Sequence, residues 1–180
     1  AYEISLGLVG SEMCIRDSMS TLKDKLLDIV YPSKYAFAHC DIPCGIYDPH
    51  TAQLDALTIV RMNQLIADLG DDSESQTKLG RYMSVKETHA ESCKNELRII
   101  WADYFKPEHL EKYPDLHDLF WQAMKSASKT RQQVSLEAAE ELLESVRKIS
   151  EIFWATKGTE TKRQPFPSPA GGEIVYPVTN

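Results

Sequence analysis

Between residues 48 and 157 the apolar positions recur with the spacing of one helical face after another. Asp48-Pro49 supplies a capping acid and a proline suited to a first helical position, and Leu54, Leu57, Val60, Leu65 and Leu69 then repeat as far as Gly70. The polar turn Asp71 to Ser75 predicts a second, longer helical stretch ending near Trp101 to Phe105, with Leu79, Met83, Val85, Cys93, Leu97 and Ile100 in its core. Pro107 opens a third segment, interrupted around Tyr113-Pro114, that carries Leu116, Leu119, Phe120 and Met124. Ser135 starts the fourth, whose stripe is Ala139, Leu142, Leu143, Val146, Ile149, Ile152 and Phe153. Four such helices joined by short polar turns predict an all-α, antiparallel four-helix bundle. The Pro- and Gly-rich tail, 158–180, is expected to be extended and to lie along a neighbouring surface.

The amino-terminal part reads differently. Residues 19–38 hold a short helix pattern (Leu22, Leu26, Leu27, Val30) that Pro32 should stop. The Ala36 to Ala38 A-x-A resembles an export cleavage site, but Lys23, Asp24, Lys25, Asp28 and Lys34 interrupt any apolar region, so a leader cut by a dedicated peptidase is expected instead. Residues 1–18 show no period, and their back-translation resembles a sequencing-library adapter. We expect them to be an adapter-derived artefact, with Met19 the start.

Composition narrows the class of partner. The 180 residues are 42% hydrophobic and 26% charged, enough for one globular domain with a core. A net charge of −7 with dispersed Lys and Arg argues against nucleic acid as a partner. No apolar run approaches a membrane span, so no membrane partner is expected. Four cysteines in a chain this long do not make a disulfide framework, which points to a reducing, cytoplasmic setting and to metal or redox use of the close pair Cys40 and Cys44.

That pair lies in HCDIPCGIYDPH, His39 to His50. The C-x3-C spacing fits neither a thioredoxin-like C-x-x-C nor a zinc ribbon, and no second Cys/His pair follows at zinc-finger distance. Spacing alone leaves open a metal site and two unrelated thiols. His39 beside Cys40 favours metal: a chain beginning at His39 would add an α-amine, an imidazole and a backbone amide to two thiolates.

The run HCDIPCGIYDP resembles the metal hook of the nickel-containing superoxide dismutases. WADYFKPEHLEKYPDLH (Trp101 to His117) resembles that family's segment between its second and third helices, and IFWATK (Ile152 to Lys157) the end of its last helix. The resemblance covers most of residues 39–157. It implies a right-handed bundle assembled as a homohexamer, one nickel ion (Ni2+/Ni3+) per subunit, and conversion of superoxide to dioxygen and hydrogen peroxide. It further implies cleavage by a maturation peptidase between Ala38 and His39, with Cys40 and Cys44 giving sulfur, the His39 amine and Cys40 amide completing a square plane, and the His39 imidazole axial.

Other roles follow from the same resemblance. Asp41 anchors the hook, Pro43 holds its turn after a cis bond, and Tyr47 covers the open metal face. The family's better-known members carry Glu where Asp55 stands and Arg where His89 stands, the pair that braces the axial imidazole, so here Asp55 and His89 are expected to do so with altered reach. Arg81 and Tyr104 fall at matching positions, and Lys106 is placed to draw in an anion. Trp101, Phe105, Trp121 and Trp154 are expected in the core or at subunit contacts, and His50, His109 and His117 at the surface or in caps. A nickel- or copper-binding carrier using the same loop is the alternative function.

Overall fold

The computed structural model describes residues 45–178. Its body is mostly helical: α1 (His50–Ala67), α2 (Ser73–Ile99), the short α3 (Pro107–Lys112), α4 (Leu116–Gln132) and α5 (Leu136–Thr156). Each boundary has a local chemical cause. Helix α1 starts one residue later than expected: Pro49 is its N-cap rather than its first residue, and Asp48 Oδ1 accepts from the backbone N–H of His50 at 2.8 Å without acting as a side-chain cap. Asp72 accepts from the N–H groups of Glu74 and Ser75 to start α2, and Ser135 accepts from Ala138 N–H to start α5. Tyr113-Pro114 does break the third segment, separating α3 from α4.

Helix α1 packs against α2 and α5, and α4 packs against the same two. Neighbours run antiparallel, because contacts pair residues in opposite chain order: Ala52 with Cys93 and Asp55 with His89, then Lys86 with Gln133 and Lys94 with Ser128. Much of the shared core is alanine (Ala52, Ala56, Ala90, Ala123, Ala127, Ala139), which lets backbones approach closely around Ile59, Leu97, Phe120, Leu142, Val146, Ile149 and Phe153. The α5 stripe is buried as its period predicts, with Ile152 partly covered. No helix among the described residues is long and apolar enough to cross a membrane.

Two expectations need correction. Leu79 and Val85 are not core residues: each is 39% exposed. The reason is length, since Lys86 meets the last carbonyls of α4, and the part of α2 before it runs past that helix end. The tail is not merely extended: Thr161–Pro165 (β1) and Glu173–Pro177 (β2) form an antiparallel hairpin with Arg163 opposite Val175. The prolines and glycines that suggested an unpaired tail make its connection, where Gly171 and Gly172 adopt φ values of 70° and 82° that side chains resist. Ile174 and Val175 are buried against the helical body.

Candidate metal centre

The expected ligands His39, Cys40 and Cys44, with Asp41 and Pro43, lie outside the described residues. What the structure gives is the framework into which that loop leads. Gly45 follows Cys44 directly and has φ 68°, a left-handed conformation that turns the chain toward Tyr47 and α1.

Tyr47 and Tyr104, both singled out from sequence, are brought together. Tyr47 packs on the core with its ring centroid 5.6 Å from that of Tyr104, tilted by 56°. Tyr104 ends a π-helical turn, Ile100–Tyr104, that the sequence pattern does not reveal. Its ring contacts Phe153 at 4.5 Å and stacks on His109 at 5.7 Å. Thr156 Oγ1 donates to the Phe153 carbonyl, so the 2.7 Å contact between Tyr104 and Thr156 is a hydrogen bond donated by the tyrosine. That bond fixes the Tyr104 ring against which Tyr47 rests.

Asp55 and His89 also meet. His89 Nδ1 lies 2.6 Å from Asp55 Oδ1, and Asp55 is 5% exposed whereas the His89 side chain is 37% exposed. Asp55 Oδ2 is buried with no hydrogen-bond partner among the described residues. An orphaned buried carboxylate oxygen is costly, so this one calls for a donor from elsewhere. On its outer side His89 lines a groove of about 410 Å³ between Leu54, Thr58 and Arg61 of α1 and Phe166 and Pro169 of the hairpin.

The remaining candidates are more dispersed. Arg81 is exposed on α2, roughly 12 Å along the helix axis from His89. Lys106 is exposed at the start of α3, and its backbone N–H donates to His109 Nδ1 at 3.1 Å, which gives His109 its capping role. Trp101 and Trp121 are 36% and 53% exposed, while Phe105 and Trp154 pack against the core. Cys93 is fully buried, its thiol directed at the Ala52 carbonyl at 3.6 Å, and burial pushes its pKa far up, with the Asp55 and Glu96 charges adding to the shift. It therefore stays a neutral thiol.

Sequence reasoning did not single out Lys157. Its ammonium sits 4.6 Å from the Phe153 ring centroid, 5.5 Å from Tyr104 and 5.6 Å from Trp154, a cation held on aromatic faces next to the Tyr47–Tyr104 pair. The motif IFWATK contained the signal, a lysine three and four residues after two aromatics.

The profile of the nickel-containing superoxide dismutases matches residues 34–157. The superoxide dismutase [Ni] of Streptomyces coelicolor is 37% identical over 126 residues, covering 70% of this chain and 93% of that protein. The enzyme of the same name from Streptomyces seoulensis matches to the same extent. The native structure of a nickel superoxide dismutase aligns with a TM-score of 0.60 at 38% identity, covering 66% of this chain and 99% of that one. A structure with nickel ligation corresponding to the oxidised state aligns with a TM-score of 0.61. These matches define the class of protein, a metal-dependent oxidoreductase. The chain belongs to the nickel-containing superoxide dismutase family, acts on superoxide, and has nickel as its cofactor. A bare carrier role is not favoured.

Proposed function

We propose that the chain becomes active after cleavage between Ala38 and His39, when His39, Cys40 and Cys44 form the nickel hook above the start of a right-handed four-helix bundle. The observation that carries this reading is Asp55 Oδ2, a buried acceptor without a donor among the described residues. An imidazole N–H from His39 would satisfy it, and Asp55, itself steadied by His89, would then orient that ring as it holds the metal. The donor set fits the metal: two thiolates and a deprotonated amide bring a higher nickel oxidation state within reach, whereas nitrogen and oxygen donors alone do not.

Nickel, when bound, supplies the one-electron couple by which one superoxide is oxidised to dioxygen and a second, with two protons, is reduced to hydrogen peroxide. The protein's own groups prepare that exchange. Lys106 and Lys157 give a chain of net charge −7 a local attraction for an anion. Tyr47, its ring resting on that of Tyr104, would lie over the bound metal and help to order water or superoxide. Asp41 anchors the hook and Pro43 shapes its turn, while Arg81 stands apart from the brace. The family resemblance supports a homohexamer, and a close thiol pair without a disulfide framework suits the cytoplasm.

The test compares the 180-residue chain with one beginning at His39, each supplied with nickel. Dismutase activity is expected only in the shorter form, because the amide of an uncut Ala38-His39 bond cannot act as an amine donor. Equal activity in both forms would sink the proposed cleavage.

A further inference from the structure

The family profile stops at Lys157, yet the chain continues into a hairpin that is docked by specific polar contacts. Gln53 in the first turn of α1 is 1% exposed, and both ends of its amide are engaged by one residue of β2. Gln53 Nε2 donates to the Val175 carbonyl at 3.1 Å, and Oε1 accepts from the Val175 N–H at 2.7 Å. Successive residues of a strand present these groups to opposite edges, so the double bond fixes which strand residue faces Gln53. Arg147 Nε donates to the Glu173 carbonyl at 2.7 Å, and Gln64 Nε2 to that of Ala170 at 3.1 Å. The rings of His50 and Tyr176 lie 5.9 Å apart at the point where the chain enters α1.

The other flank of that stretch is gripped by α2. Ala52 receives the Cys93 thiol and Asp55 receives His89. Residues 50–55, directly after the cysteine loop, are thus clamped between α2 and β2. We propose that the hairpin is a brace for the metal hook, and that Gln53, by fixing the position of α1 along its axis, sets the reach of Asp55 toward the His39 ring. Gln53 is a positioning residue, and the proposal rests on the hook reading given above.

The test uses nickel-loaded enzyme matured with its natural processing system. Gln53→Leu keeps the side-chain size and removes both bonds. Nickel release to a chelator, followed well below the melting temperature, is expected to be about 10-fold faster than in wild type, the lower end of effects from groups that orient metal ligands. The electron paramagnetic resonance signal of the oxidised metal should also show a weakened axial nitrogen. Ala127→Gly, in the buried interior of α4 remote from the hairpin, serves as a destabilised control, and its nickel release should stay at the wild-type rate. Arg147→Met loosens the hairpin without touching α1 and should shift release in the same direction as Gln53→Leu, by less. Wild-type release and an unchanged signal in Gln53→Leu, or equal acceleration in Ala127→Gly, would overturn the brace. Cys40→Ser separates this from failure of the hook: if that variant keeps nickel normally, the ligand assignment is wrong whatever Gln53 does.

Discussion

Helix α2 carries two polar side chains one turn apart, the buried Lys86 and the half-exposed His89 that meets buried Asp55 on α1, and the surroundings of Lys86 and Asp55 differ in kind. Lys86 is 0% exposed, and its ammonium donates to the carbonyls of Thr130 and Gln133 where α4 ends. A cation there neutralises the negative end of a helix and satisfies carbonyls that would otherwise lack donors. Asp55 is nearly as buried, but only one of its oxygens is engaged. Lys86 is closed on itself and structural, whereas Asp55 keeps one acceptor for a group arriving from outside the helices. In the proposed reading the completed contact at Lys86 holds the fold, and the incomplete one at Asp55 is where the metal hook attaches.

The largest effects should come from the loop that completes the open site. Cys40→Ser or Cys44→Ser is expected to abolish dismutase activity, since a hydroxyl stays protonated near neutral pH and cannot replace thiolate donation. Cys93→Ser should leave activity per nickel close to wild type, because the buried neutral thiol already has its contact at Ala52. Loss of activity in folded Cys93→Ser would mean that the ligand set is wrongly drawn. Next comes the open carboxylate. Asp55→Asn keeps the shape and should retain most of the nickel, yet lower turnover by about 10- to 100-fold. Its melting temperature should stay near wild type. A variant that melts much earlier with unchanged turnover would make Asp55 a second Lys86.

Lys86 itself gives the converse result. Lys86→Met preserves volume and leaves the carbonyls at the end of α4 without their donor, a loss of about 1 kcal/mol or somewhat more. The melting temperature should drop by a few degrees while activity per bound nickel is unchanged. Reduced turnover at full nickel occupancy would place Lys86 in the machinery of the site and erase the contrast.

The two groups were not equally legible in the sequence. Asp55 and His89 stood out through family resemblance, and the structure brings their side chains into contact. Lys86 carried no signal, because a lysine on a helix is usually solvated and only the end of α4 makes this one buried. The same crossing exposes Leu79 and Val85, whose period alone placed them in the core. The helices, the Ser135 cap and the break at Tyr113-Pro114 follow from local rules that the sequence displays, whereas α1 begins after Pro49 and ends at Ala67, short of Gly70. The hairpin does not, since its strands are short and its docking depends on Gln53 and Arg147, distant in sequence. His39, Cys40 and Cys44 were conspicuous by residue type and by family resemblance, and they lie outside the described residues.

Arg163 supplies a third kind of polar contact, one at the surface, and the smallest effect. It binds Glu144 through two bonds of 2.9 and 3.0 Å and Glu151 through bonds of 2.6 and 3.2 Å, tying β1 to α5. The hydrogen bond from Arg163 holds the Glu144 carboxyl below its ordinary value of 4.5, against the opposing effect of burial. A carboxylate with a depressed value in the folded state stabilises that state above its unfolded value, and the contribution is lost as pH falls through the folded one. Docking of the hairpin should therefore weaken below about pH 4.5 while the apolar helical body persists. Glu144 is 39% exposed on its side chain, so the contribution is screened and amounts to no more than about 1 kcal/mol. Hydrogen exchange of Gln164 and Ile174 should accelerate in this acid range before that of Val146 or Leu97. In Glu144→Gln the early step should shrink, because the charge that titrates is gone while the shape remains. Simultaneous loss of protection in hairpin and helices would show that Arg163 does not govern the hairpin, and that burial of Ile174 and Val175 against the body holds it.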